Sequence, residues 1–257
     1  MEKVISKDGT SIAYEKLGKG PALGALCSRA FGPMSKLSQM LAEHFTVYIY
    51  DRRGRNQSGD TKPYNMEREL EDIDALIKMA GSPVYIAGVS SGAALALEAV
   101  AKGLPISKLA MYEPPYVVGA GGHEPPADSK ERMMKMLESD KRGAMVKFFM
   151  HDMIGMPAFF TAIFPLMPVW SKLKAVAHTL PYDISIMADY RVPAERASSI
   201  KIPTFVMGGG KSPVSLKGAV KVVAEAIPNC KMSMLPGQTH NVSNAVLAPE
   251  LIKFFIN

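Results

Sequence analysis

Short apolar runs alternate along the chain with longer segments whose apolar residues recur at helical spacing. Runs of the first kind are typical of buried strands, and segments of the second kind are typical of helices that cover a sheet. The alternation predicts an α/β fold with a mostly parallel central sheet flanked by helices. The predicted strands are 11–17, 21–27, 45–50, 84–88, 109–113, 204–207 and 231–235. The predicted helices are 34–43, 65–79, 92–101, 215–227 and 244–255.

The alternation stops after the strand 109–113, where a segment rich in methionine and phenylalanine begins. This segment has helical patterning, and the alternation of strands and helices resumes only near residue 204. We therefore expect a helical cap at 116–193, inserted between two parts of one core, 1–115 and 194–257. With 257 residues and 47% apolar content, the chain is long enough to bury one large core.

Charge and cysteine usage narrow the class of protein. Lysine and arginine outnumber aspartate and glutamate by 30 to 24, but no block of like charges occurs, so the sequence does not indicate a nucleic-acid partner. Cys27 and Cys230 each lie in or beside an apolar segment, which favours reduced thiols over a disulfide framework. The first residues carry charges throughout and lack the apolar region of a secretory signal. These features predict a cytoplasmic protein.

One apolar stretch, 153–170, has about the length of a membrane-spanning helix. It contains Pro157, Pro165 and Pro168, which would interrupt such a helix. We therefore expect a pair of short helices and no stable membrane span. A contact of this stretch with a membrane surface stays open.

A candidate nucleophile lies in the sequence IAGVSSGAA at 86–94. The pattern Gly-x-Ser-x-Gly fits Gly88, Ser90 and Gly92, whereas Ser91 would require glycine at Val89. Such a serine occupies a sharp turn from strand to helix, and the small residues on either side let strand and helix approach each other. The backbone N–H of Ser91, at the start of the helix, could then face a developing oxyanion.

Three stretches of the chain resemble the α/β-hydrolase family, and the resemblance covers nearly the whole length. YIYDRRGRNQSGDT resembles the turn after the family's fourth strand, GVSSG its nucleophile elbow, and LPGQTHNV its histidine loop. The order of serine, acid and histidine along the chain is also that of the family. The resemblance implies an α/β-hydrolase fold with the cap inserted after the family's sixth strand.

A nucleophilic serine needs a base, and an imidazole is the usual one because it titrates near neutral pH. His240 follows the last predicted strand and precedes the last predicted helix, which places it on a loop at the carboxyl end of the sheet. We predict His240 as the base, as the resemblance also implies. His178 belongs to the cap and could line the substrate pocket, while the remaining histidines are expected at the surface or in packing.

The base in turn needs a carboxylate that fixes its tautomer. In most relatives an aspartate follows the seventh strand, but this chain has Ser212 at that position. Glu113, at the end of the strand 109–113, is the predicted substitute, as some members of the family carry their acid after this strand. Asp183, Asp189 or no acid at all stay as alternatives, and the alternative role for Glu113 is a structural pair with an arginine.

The second oxyanion donor would come from the loop after the third strand, which reads LCSRAFG. Cys27 and Ser28 stand where relatives often have His-Gly, so the predicted donor is the N–H of Arg29 or Ala30. Arg29 could instead bind a substrate carboxylate. The arginines of DRRGR, which begins at Asp51, are interpreted either as a basic surface patch or, more in keeping with the family's turn, as braces between loops.

The apolar side chains of the cap predict a pocket for an apolar substrate, or simply a helical core packed on the sheet. The expected lining residues are Met145, Phe149, Met153, Trp170 and His178.

Serine as the nucleophile favours a hydrolase of small or medium apolar carboxylic esters, thioesters or lactones, acting through an acyl-enzyme. A cofactor-free lyase that uses the same residues, and a non-catalytic binding or signalling protein, stay as alternatives. The sequence contains no metal-ligand pattern and no dinucleotide fingerprint, and GGGKS lacks the first glycine of a P-loop, so we expect no metal and no cofactor. We expect a monomer or a homodimer.

Overall fold

The computed structural model describes residues 1–26, 35–81, 83–118, 123–187 and 190–257, which form one sheet surrounded by helices. The strands in these ranges are β1 (Glu2–Ile5), β2 (Ser11–Leu17), β3 (Ala22–Leu26), β4 (Thr46–Tyr50), β5 (Val84–Val89), β6 (Ile106–Tyr112), β7 (Thr204–Gly209) and β8 (Cys230–Leu235). Their order across the sheet is β1-β2-β4-β3-β5-β6-β7-β8. The β1–β2 and β2–β4 pairs are antiparallel, and every later pair is parallel. The predicted α/β fold is confirmed.

Helices cover both faces of this sheet and also form the segment inserted after β6. The α-helices of the described ranges are α1 (Ser35–Ala42), α2 (Met66–Ala80), α3 (Ser91–Ala101), α4 (Ser129–Glu138), α5 (Arg142–Phe148), α6 (Ala158–Ile163), α7 (Trp170–Val176), α8 (Leu180–Met187), α9 (Ala194–Ser199), α10 (Val214–Ala226) and α11 (Asn244–Ile256). Helices α2, α3 and α10 pack on one face of the sheet, and α1 and α11 pack on the other. The core is therefore divided by the sheet into two layers.

The central strands are mainly apolar because both of their faces are covered. In β4, Tyr48 and Tyr50 enter the layer with α2 and α3, whereas Val47 and Ile49 enter the layer with α1 and α11. All four side chains are buried. A strand covered on both faces lacks the polar alternation of a half-exposed strand, which is why short apolar runs predicted the parallel part of the sheet well.

The edge strand β1 is absent from the predicted elements. Its four residues, Glu2–Ile5, lie in the charged amino-terminal stretch, and three of them are exposed. An edge strand with one neighbour and little burial has almost no apolar pattern. Its antiparallel pairing with β2 is visible in the structure but could not be predicted from the hydrophobic pattern of the sequence.

The insertion after β6 is helical, as predicted, and it has a core of its own. Buried side chains of α4, α5, α7 and α8 pack together there, away from the two layers on the sheet. The stretch 153–170 contains the short helix α6, a single turn at Phe164–Leu166 and the first residue of α7, which confirms the predicted break at its prolines. Across the described residues, no helix has both the length and the apolar character needed to cross a bilayer. The limits 116 and 193 for the cap stay a prediction.

Candidate active site

The turn from β5 into α3 is formed by Ser90. Its backbone angles, φ 55° and ψ −130°, lie in a region that costs a residue other than glycine about 1–3 kcal/mol. The strained turn is held from both sides, because the Ser90 N–H donates to the carbonyl of Tyr112 at 2.9 Å and the Ser90 carbonyl accepts from the N–H of Ala93 at 2.8 Å. A strained residue fixed in this way at the carboxyl end of a central strand is the arrangement that the sequence motif predicts.

Gly88 allows the strand and the helix to approach closely enough for this turn. A Cβ atom at Gly88 would lie 2.4 Å from the carbonyl oxygen of Gly92 and 2.7 Å from the Cα atom of Ala93. Both contacts are with backbone, which cannot rotate away. The glycine two residues before Ser90 is therefore required by the packing of β5 on α3.

Replacing Gly88 by alanine should destabilise the protein by about 1–3 kcal/mol, because the methyl group overlaps the first turn of α3. Urea unfolding measures this loss. The matched control is Gly24→Ala, also a strand glycine, where an added Cβ would meet nothing closer than 3.8 Å. Equal losses in the two variants would contradict the explanation by close approach.

His240 and Glu113 form a direct pair at the same edge of the sheet. The imidazole Nδ1 of His240 lies 2.7 Å from Oε2 of Glu113. Glu113 follows β6 directly and is completely buried, while the His240 side chain, on the loop after β8, is 45% exposed. The pair joins a buried carboxylate to a partly exposed imidazole.

The Glu113 carboxylate is ionised by its surroundings. Burial alone would raise its pKa, but the hydrogen bond with His240 and the 2.7 Å hydrogen bond from the N–H of Gly209 to Oε1 outweigh burial and hold the pKa below its ordinary value. The buried hydroxyl of Ser212 also lies near enough to lower this pKa, although it does not reach full hydrogen-bond geometry. Glu113 is thus the acid that faces His240, and Ser212 contributes only a hydroxyl beside it.

Tyr112 connects the serine turn to the histidine loop. Its carbonyl accepts the Ser90 N–H, and its hydroxyl donates to the carbonyl of Thr239, next to His240, at 2.6 Å. The side chains of Ser90 and His240 themselves make no hydrogen bond with each other in this structure. In enzymes without bound substrate, the bond between nucleophile and base is often long and forms fully only in the substrate complex.

The helix that begins at Ser91 meets the cap through a buried carboxylate. Asp183 of α8 accepts a hydrogen bond at 2.7 Å from Arg52 and another at 2.7 Å from Arg55, and the Ser91 hydroxyl faces the same carboxylate. Burial would raise the pKa of Asp183, but Arg55 and Arg52 outweigh it and keep the pKa below its ordinary value. Asp183 therefore pairs with the two arginines and not with His240. These contacts exclude Asp183 as the alternative to Glu113.

The arginines of DRRGR are buried and do not form a surface patch, and their acidic partners lie mainly on helices, so they brace the turn after β4 against helices more than against other loops. Arg52 also binds Glu69 of α2, and Arg53 binds Asp72 of the same helix through two nitrogens at 2.9 and 2.7 Å. The turn after β4 thus ties α2 and the cap to the core. Sequence patterning did not reveal this role of Asp183, Glu69 and Asp72, because charged residues on their own give no sign of burial.

Several predicted site residues lie outside the described part of the chain. They are Cys27, Ser28, Arg29, Ala30 and the alternative acid Asp189. The backbone donor of Ser91 is within the described part, at the first residue of α3. The second oxyanion donor, Arg29 or Ala30, therefore stays a prediction.

The predicted lining residues of the cap have different surroundings. Met145 and Met153 are buried in the cap's own core, and Phe149 and Trp170 pack against that core while half-buried. His178 lies near Gly54, with its Nδ1 buried and unpaired, and burial lowers its pKa. These placements fit the packing role that the sequence left open, and a contact with substrate stays a prediction for all five. Within the described residues, no group of three or more His, Cys, Asp or Glu side chains is placed to hold a metal ion.

The fold and the strained serine turn at the carboxyl edge of the sheet define a hydrolase of the α/β class. The chain belongs to the alpha/beta hydrolase family, whose model matches residues 20–249. An alpha/beta hydrolase of Sphaerobacter thermophilus has a closely similar structure, with a TM-score of 0.92 at 44% identity, over 99% of this chain and 100% of that one.

Two further relatives are more distant. The uncharacterised hydrolase YraK of Bacillus subtilis is 28% identical over 147 residues, which are 54% of this chain and only 53% of that protein. An enol-lactonase of Burkholderia xenovorans has a TM-score of 0.75 at 19% identity over the full length of both chains. Identity this low supports the shared fold and not a shared substrate.

Proposed function

We propose that this protein hydrolyses carboxylic esters, thioesters or lactones through an acyl-enzyme formed on Ser90. The observation that carries the proposal is the hydrogen-bonded pair of His240 and Glu113, whose loop Tyr112 connects to the strained turn of Ser90. Such a carboxylate fixes the tautomer of the imidazole, so that the other ring nitrogen can accept the proton of a nucleophilic serine.

In the first half of the proposed reaction, Ser90 attacks the carbonyl carbon of the ester. Glu113 accepts the Nδ1–H of His240, so that Nε2 carries a lone pair and takes the hydroxyl proton. The carbonyl oxygen becomes negative and is stabilised by the backbone N–H of Ser91 and by the predicted second donor. The C–O bond of the ester then breaks, and the alcohol leaves with the proton from His240.

In the second half, water replaces the alcohol. His240 takes a proton from water, the hydroxide attacks the acyl carbon, and the bond to Ser90 breaks as the proton returns to the serine oxygen. The ionised state of Glu113 supports both halves, because it stabilises the imidazolium that forms each time. No redox partner or metal is needed for this balance of atoms and charges.

The cap supports an apolar acyl or alcohol group as the substrate. Its buried and half-buried side chains are largely methionine, phenylalanine and leucine. Such side chains adapt to different apolar shapes. The proposed substrates are therefore small or medium esters with little charge.

One observation favours a competing function, a protein that binds a small molecule without turning it over. The side chains of Ser90 and His240 make no direct hydrogen bond, and a serine without a base is a poor nucleophile. The same observation fits a lyase in which the two groups act separately as acid and base. The experiment must therefore report on covalent chemistry at Ser90.

A fluorophosphonate probe should label the protein at Ser90, because the probe reacts with serines that are activated by a base. Mass spectrometry should find the adduct on the peptide that contains Ser90, and Ser90→Ala should abolish labelling. Ser243→Ala, at an exposed serine before α11, is the matched control and should label normally. A burst of alcohol from a p-nitrophenyl ester should accompany labelling. A folded protein that neither labels nor shows a burst would overturn the proposal in favour of binding or lyase activity.

A further inference from the structure

The cap carries a row of large apolar side chains that the described residues leave exposed. Phe159, Phe160 and Ile163 lie on α6, and Leu166 and Met167 lie on the turn that follows it. Phe159 is 71% exposed and Leu166 is 85% exposed. Single exposed apolar residues are ordinary in proteins, but five within the nine residues 159–167 mark a surface that binds something apolar. We call these five side chains the apolar ridge.

The helix α6 is oriented against the rule for a helix at a water-covered surface. Its buried residue is Thr161, which is polar, and its two phenylalanines are exposed. A surface helix in water buries its apolar side and exposes its polar side. The inverted orientation indicates that the natural environment of the apolar ridge is apolar.

The charges around the apolar ridge are mostly positive. Residues 140–182 contain five lysine or arginine residues and two acidic residues, a net charge of +3 in a chain whose total is +6, and Arg142 is paired with Asp140. Lys172 and Lys174 follow the ridge directly on α7, and neither has an ion-pair partner among the described residues. This part of the cap therefore complements an anionic surface.

Trp170 stands between the apolar ridge and these lysines along the chain. It begins α7 and is half-buried, and the Nζ atom of Lys174 lies 5.9 Å from the centroid of its ring. Tryptophan is enriched where hydrocarbon meets water, since its ring is apolar and its N–H can hydrogen bond. The order of apolar side chains, tryptophan and lysines matches the layers from acyl chains to phosphates in a bilayer.

We infer that the cap docks on the surface of an anionic lipid bilayer through the apolar ridge, with Lys172 and Lys174 at the lipid phosphates. A second copy of the chain fits this surface less well, because it carries the same positive net charge and does not complement it, whereas an anionic bilayer does. Docking of this kind buries apolar side chains at the headgroup boundary without a spanning helix. It does not depend on the proposed chemistry of Ser90.

Sedimentation with vesicles tests this inference on the full-length protein. Vesicles of phosphatidylglycerol mixed equally with phosphatidylcholine should carry the protein into the pellet, and pure phosphatidylcholine should bind it much more weakly. Added salt should reduce the binding to anionic vesicles because it screens the lysines. Absence of binding to the anionic vesicles at low salt would overturn the inference.

Two variants separate the ridge from the charges. The double variant Phe159→Ser, Leu166→Ser should lower vesicle binding at least about tenfold, and Lys172→Gln, Lys174→Gln should lower it about fivefold for each lysine. The matched control is Ile5→Ser, Val214→Ser, which removes two exposed apolar side chains outside the cap and should bind normally. Circular dichroism verifies that each variant is folded. If the ridge variant does not fold, the vesicle binding of the lysine variant tests the inference. Equal loss in the control, or a stable dimer that the ridge variant dissociates, would contradict docking on lipid.

Discussion

Replacing Glu113 by glutamine is expected to lower the turnover of p-nitrophenyl esters by about 10³- to 10⁴-fold without unfolding the protein. Glutamine has nearly the same shape, but it can donate its amide protons to Nδ1 of His240 and so favour the wrong tautomer. It also removes the negative charge that stabilises the imidazolium. Steady-state kinetics should show the loss in kcat and little change in KM, because Glu113 acts through His240 and does not touch the substrate.

The control for this variant is Glu98→Gln, which makes the same change at another buried carboxylate. Glu98 lies in α3 and pairs with Arg196 of α9, away from the serine turn. Its replacement should leave ester turnover nearly unchanged. If Glu113→Gln kept most of its turnover, or if both variants lost it equally, the acid would not be Glu113, and the role of the pair with His240 would be structural.

Electrostatics disfavours carboxylates at both of the positions that could supply the acid, 113 after β6 and 212 after β7. The Ser212 hydroxyl is buried near the Glu113 carboxylate, at the end of the neighbouring strand. An aspartate at 212 would place a second carboxylate in this buried site and force the pKa of one of them upward. One acid at either position can serve His240, but two together would oppose each other. Serine at 212 leaves Glu113 as the carboxylate that faces His240 in this site.

The fold could be predicted from the sequence where the signal is local. The runs that became β4, β5 and β7 are apolar because both faces of these strands are covered, and their predicted limits differ from the observed ones by one or two residues. The edge strand β1 gave no such signal because three of its four residues are exposed. Burial on both sides, and not strand formation as such, is what the pattern detects.

The candidate site, like the fold, has parts that could be predicted from the sequence and parts that could not. Ser90, Glu113 and His240 could be predicted because each follows a strand, and the carboxyl ends of parallel strands meet at one edge. The contacts of Asp183 could not be predicted, since its partner Arg52 lies 131 residues away and neither residue has a pattern that marks it as buried. Residues 27–30 had to be inferred from resemblance and lie outside the described part of the structure.

Arg53 shows how strongly the turn after β4 depends on paired charges. Its side chain is completely buried, and it binds Asp72, also completely buried, and Asp8. Burial raises the pKa of the Asp72 carboxyl even though Arg53 acts to lower it. Without the arginine, Asp72 would have to stay charged in an apolar site or take up a proton, and both cost free energy.

Arg53→Met is therefore expected to lower the free energy of unfolding by about 3–5 kcal/mol, which corresponds to a fall in Tm of about 6–20 °C. Urea and thermal unfolding followed by circular dichroism measure both quantities. Arg68→Met is the matched control, because Arg68 pairs with Glu71 while 42% exposed, and such a pair contributes about 0–1 kcal/mol. Adding Asp72→Asn to Arg53→Met should recover part of the loss, since it removes the unpaired charge. A loss at Arg53 no larger than that at Arg68 would mean that solvent reaches Asp72 and that the buried pair contributes little.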